Sequence, residues 1–128
     1  GYVYVSSPNE SVIAWGPYTG ASGSITWADL PYESVYGLAV HDGYLFVGCG
    51  IEGEDNIFIH ALNPDGSPVA TPEWSCVFAE SAQANGGIDY DGEYLWVYPQ
   101  NDFLYQLDID WSPQALEGDT WGGIKATF

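Results

Sequence analysis

Three times along this chain a tyrosine opens a run of alternating large residues: "YVYV" from Tyr2, "YLFV" from Tyr44 and "YLWV" from Tyr94. Aromatic and β-branched residues in such alternation specify strands. Beyond a polar loop, each run is followed by a second apolar strand: "SVIAW" at 11–15, "NIFIHAL" at 56–62 and "DFLYQLD" at 102–108. Two of the runs are preceded by a Gly-containing strand and an Asp-Gly pair, at 42–43 and 91–92. Asp-Gly favours type I′ hairpins, whose two central residues both take positive φ. Two units continue through turn residues into a Trp-bearing segment, "SITWADL" with Trp27 and "PEWSCVF" with Trp74. Ala14 precedes Trp27 by the same interval that separates Ala61 from Trp74.

A repeated order of elements constrains the fold more than any single motif. It predicts an all-β chain without a helix longer than two turns. Strands are expected near 2–5, 11–15, 36–41, 44–48, 56–62, 86–90, 94–98 and 103–108. The unit is a four-stranded antiparallel meander, the size and form of a β-propeller blade. Blade 1 would take about 122–128 plus 1–30, blade 2 about 35–79 and blade 3 about 85–121. A β-sandwich with coincidental hairpins accounts for strand number and spacing, but not for the threefold order.

The first unit lacks its leading strand, and the C-terminal "GGIKATF" resembles what is missing. Read tail to head, "GGIKATFGYVYV" parallels "GGIDYDGEYLWV" at 86–97. Gly122, Gly123, Ile124, Lys125, Ala126 and Thr127 are therefore expected to pair antiparallel with Tyr2, Val3, Tyr4 and Val5. Three blades are too few to close around an axis. The completing strand is thus expected from another copy, in a six-bladed dimer, a tandem array or a head-to-tail polymer.

The 128 residues amount to one domain. Eighteen acids face a single Lys125 and no Arg, for a net charge of −17. Phosphate recognition needs cations, so nucleic acid is excluded as a partner, and anionic lipid would repel the chain. No apolar run approaches the ~20 residues of a membrane helix. The absence of Met suggests a processed product or an excerpt, and the composition suits an extracellular or cell-surface protein.

Candidate chemistry is sparse. Glu52, Glu54 and Asp55 gather in one loop and could supply oxygen ligands to Ca²⁺. Asp89, Asp91 and Glu93 surround a turn, while Asp108 and Asp110 share a strand face. Solvated loops that keep an aromatic protein soluble explain the same acids. Asn9 begins an Asn-Glu-Ser glycosylation pattern. Of the two histidines, His60 reads as a packed strand residue and His41 as a turn neighbour. Cys49 and Cys76 fall on strands separated by a third. That separation, ~9.5 Å, exceeds the ~7 Å that a disulfide spans, so no bond between them is expected within one blade.

The segments "VYVSSPNESVIAWGPYTG" and "LFVGCGIEGEDNIFIHALNPDGSP" resemble repeats of the quinoprotein-like propellers. The resemblance covers the first two units and part of the third. Members of that family with catalytic activity hold a quinone beside Ca²⁺, many with a disulfide between adjacent cysteines. Here there is no Cys-Cys pair and no Arg, so the resemblance implies the non-catalytic branch. The function expected is a non-enzymatic structural module that associates with further copies through strand complementation and aromatic interfaces. A glycan-binding propeller, with exposed Trp and Tyr as stacking platforms, is the alternative. A propeller glycosidase or lyase ranks third.

Overall fold

The computed structural model describes residues 1–7, 12–17, 25–30, 32, 34–50, 54–79 and 84–113. These form ten strands, all paired antiparallel, and no helix. The strands are β1 (Tyr2–Ser6), β2 (Val12–Pro17), β3 (Thr26–Asp29), β4 (Val35–His41), β5 (Tyr44–Cys49), β6 (Ile57–Ala61), β7 (Trp74–Cys76), β8 (Gly87–Tyr90), β9 (Leu95–Tyr98) and β10 (Tyr105–Leu107). They make three separate sheets in the orders β1-β2-β3, β4-β5-β6-β7 and β10-β9-β8. All eight predicted strands are present, with boundaries moved by at most two residues.

Pleating sends alternate residues of each strand to opposite faces, and both faces of the four-stranded sheet are apolar. Leu45, Val47 and Phe58 on one face pack with Ile13 and Tyr4 of the first sheet. Phe46, Ile57 and Ile59 on the other face pack with Tyr90, Leu95 and Val97 of the third. The middle sheet is thus covered on both sides, which is why β5 is buried at every position. At about 25 cal/mol per Å² of apolar area, these two contact layers are the main favourable term in the fold.

The links between sheets repeat a detail. Tyr32, beyond the last strand of the first sheet, stacks on Phe58 of the middle one with ring centroids 3.8 Å apart. Phe78, beyond the last strand of the middle sheet, meets Tyr105 of the third edge-on at 5.1 Å. Phe58 lies opposite Val47 in its sheet, as Tyr105 lies opposite Val97. Consecutive sheets are therefore joined by an aromatic pair at the same register position, stacked in the first link and edge-on in the second.

Where the second link crosses the middle sheet, Gly37 and Gly48 lie side by side in the ladder. A Cβ on either would fall 2.5 Å from the Asn85 carbonyl oxygen, so only glycine admits the crossing backbone.

The two Asp-Gly turns differ. At Asp42-Gly43 both residues take positive φ, 46° and 80°, as a type I′ hairpin requires. At 91–92 only Gly92 does, with φ 101°. Here the Asp91 carboxylate accepts from the backbone N–H groups of Glu93 and Tyr94 and from the Trp96 indole. A side chain that captures turn amides imposes its own geometry.

Trp27 and Trp74 are not equivalent, despite their matching intervals. Trp27 lies opposite Ala14, which lies opposite Val5. Trp74 lies opposite Ile59, which lies opposite Phe46. One Trp therefore sits on the Val face of its sheet and the other on the aromatic face.

Candidate assembly surface

Of the residues expected to form an assembly edge, Tyr2, Val3, Tyr4 and Val5 lie in β1. Gly122, Gly123, Ile124, Lys125, Ala126 and Thr127 lie outside the described residues, so their pairing with β1 does too. β1 is an edge strand: it pairs with β2 on one side, and no described strand lies on the other. In the middle and third sheets, the strands equivalent to β1 are β5 and β9. They carry β4 and β8 on that side.

Two tyrosines tie β1 to the middle sheet. The Tyr4 hydroxyl donates to the Gly66 carbonyl over 2.7 Å. Burial, then Tyr2 and Asp65 nearby, raises its pKa above the ordinary tyrosine value. The Tyr2 ring packs so closely on Gly66 that a Cβ there would lie 2.9 Å from it, and Gly66 takes φ +87°. The alternate residues, Val3 and Val5, face away from the middle sheet and are 47% and 58% exposed. Trp27, two strands over on the same face, is 66% exposed.

Among the described residues, His60 and the two cysteines are held within the middle sheet. His60 is fully buried. Its Nδ1 lies 2.6 Å from the Val69 carbonyl and its Nε2 lies 2.7 Å from the Tyr32 hydroxyl. A carbonyl only accepts, so Nδ1 carries the hydrogen and Nε2 accepts from Tyr32. Burial pushes the pKa of His60 down and that of Tyr32 well up. The neutral ring is thus fully satisfied as it stands.

Cys49 and Cys76 are free thiols on opposite faces of the middle sheet. Burial pushes the Cys49 thiol up to about 12. Burial and then Asp55 and Asp110 push Cys76 up to about 11. Thiolates are the nucleophilic form, so neither environment activates its sulfur. His41 closes β4 beside Asp42, with its ring edge-on to Tyr90 at 5.2 Å.

Asn56 and Asn85 form a buried polar cluster under the loop that leaves the middle sheet. Asn56 accepts from the Phe78 N–H and donates to the Phe78 carbonyl, closing a pseudo-ladder. The Asn85 amide nitrogen donates to the carbonyls of Cys49 and Asn56, which fixes its orientation and leaves Oδ1 buried without a donor.

The acidic loop divides. Glu52 and the glycosylation candidate Asn9 lie outside the described residues. Glu54 is exposed, and the Asp55 carboxylate accepts from the Ser75 hydroxyl. Among the described residues, no three His, Cys, Asp or Glu side chains converge as metal ligands.

One residue that sequence reasoning missed is Trp111. Its ring lies edge-on to Tyr44, Phe46 and Tyr90 at 4.9, 5.6 and 5.7 Å, wedged between the middle and third sheets. The signal was present in "LDIDW", a Trp closely following the last strand of its unit.

No protein-family model, curated protein or solved structure matches the chain. The quinoprotein-like resemblance therefore rests on the sequence segments alone.

Proposed function

We propose that this chain is a non-enzymatic structural module of a secreted or cell-surface assembly, built of propeller-type blades and associating with further copies by strand complementation. The observation that carries the reading is the outer edge of β1. An edge strand presents unpaired N–H and C=O groups and is a template for another strand. The equivalent edges of β5 and β9 are covered by β4 and β8. Residues 122–127 have the sequence character of β8, so the same segment from a second copy would complete the first sheet as a four-stranded blade.

The test is removal of residues 122–128, followed by sedimentation velocity. Association should be lost while the β-sheet circular dichroism persists, and an added 122–128 peptide should bind the shortened chain. A shortened chain that associates like the intact one would contradict strand complementation.

The exposed indole of Trp27 favours a second reading, in which it serves as a stacking platform for a glycan. A glycan array probed with the intact chain and with Trp27→Ala separates the two: binding that depends on Trp27 would support this reading.

A further inference from the structure

The three sheets stack by one rule, and among the described residues that rule leaves two complementary faces without a sheet against them. By ladder register, Tyr4, Phe46 and Trp96 are equivalent, as are Val5, Val47 and Val97. At the first internal contact, the face bearing Tyr4 meets the face bearing Leu45 and Val47. At the second, the face bearing Phe46 meets the face bearing Leu95 and Val97. In both, an aromatic face seats on an aliphatic face, always in the same chain direction.

Among the described residues, continuing the rule leaves the aliphatic face of the first sheet and the aromatic face of the third without a partner sheet. The first carries Val3 and Val5, with Ala14 and Trp27 across the ladder. The third carries Trp96, and next to it on the same face Tyr98, which is 52% exposed. Ala14 occupies the register position held by Phe58 and Tyr105 in the other sheets. Ala14 is itself buried, so the exposed part of this face is carried by Val3, Val5 and Trp27. Trp27 stands where the middle sheet has Ser75. An exposed indole at that place is the residue type that anchors protein interfaces. Asp89 and Gln106 flank Trp96 across its ladder and would form a polar rim.

We propose that a second copy of this chain seats its Trp96/Tyr98 face on the Val3/Val5/Trp27 face of the first. The contact extends the internal stacking from one molecule to the next. It is heterologous: each added copy presents the same free faces again, so association proceeds head to tail into a ring or an open filament. The proposal rests on the assembly reading above but concerns sheet faces, whereas strand complementation concerns the backbone edge of β1.

The experiment uses variants that block one face each. Val5→Glu places a charge on the first face, and Trp27→Ala removes the anchor from it. Tyr98→Glu places a charge on the third. Val5, Trp27 and Tyr98 are all substantially exposed, and circular dichroism with thermal melting checks that the sheets persist. In analytical ultracentrifugation, each variant should associate at least tenfold more weakly than the intact chain. An equimolar mixture of Val5→Glu and Tyr98→Glu should associate more strongly than either variant alone, because each supplies the face that the other lacks. If folded Val5→Glu and Trp27→Ala associate like the intact chain, the face contact is wrong, even where deletion of 122–128 abolishes assembly. A mixture that associates no more strongly than either variant alone, when the intact chain associates, would overturn the head-to-tail arrangement.

Discussion

Tyr32 donates its hydroxyl hydrogen to Nε2 of His60 over 2.7 Å, inside the layer between the first and middle sheets. Nδ1 of the same ring donates to Val69, so the imidazole bridges a link between sheets and a turn.

Because burial lowers the pKa of His60 below the ordinary 6.5, the unfolded chain takes up a proton before the folded one does. The resulting stability is present above pH 6.5 and is lost as pH falls through the folded value, by up to about 1.4 kcal/mol per pH unit. Urea unfolding at pH 7.5 and 5.5, in high salt to screen the carboxylates, should show this loss. In His60→Gln the loss should shrink. An unchanged slope in that variant would place the titrating group elsewhere.

Asn56 satisfies both backbone groups of Phe78 in a buried site. Asn56→Ala leaves that N–H and C=O unpaired, at a cost of about 2–3 kcal/mol. Chemical denaturation measures the loss. A change below 0.5 kcal/mol, roughly the surface-substitution range, would mean that the pseudo-ladder is not formed.

Gly66 combines a positive φ with a ring packed against it. Gly66→Ala should cost about 1–2 kcal/mol from backbone strain, plus a steric part contributed by Tyr2. In a Tyr2→Ala background only the strain remains, so the two substitutions should be non-additive. Strict additivity in a double-mutant cycle would show that Tyr2 does not rest on this turn.

Both thiols are pushed well above neutral pH by burial. Alkylation of the folded protein at pH 8, followed by mass spectrometry, should be slow at Cys76 and slower at the fully buried Cys49. Both should react readily in denaturant. A disulfide between residues 49 and 76 in non-reducing peptide maps would contradict their placement on opposite faces of one sheet.

Period-two alternation located the strands, because a half-buried pleated surface demands it. Asp42-Gly43 was legible because the backbone itself requires positive φ there. Trp27 and Trp74 were not, because the ladder, rather than the sequence interval, decides the facing residue. Ala14 lies opposite Val5 whereas Ala61 lies opposite Tyr44, so the two equal intervals start, and end, on opposite faces of their sheets. Asp91 was misread because its carboxylate, instead of the Asp-Gly backbone, shapes the turn. Trp111 fell outside the expected strand pattern, although its ring fills the contact between two sheets. The candidate edge at β1 was visible as unmatched alternation. The free aliphatic face emerged only once register had assigned Val3, Val5 and Trp27 to one side.

The central claim is that the chain associates with copies of itself. Sedimentation velocity of the intact protein across a wide concentration range tests it most directly. The faces and edge described here predict species heavier than one chain whose share grows with concentration, and also with salt as the −17 charge is screened. A single monomeric boundary at every concentration and ionic strength would contradict it.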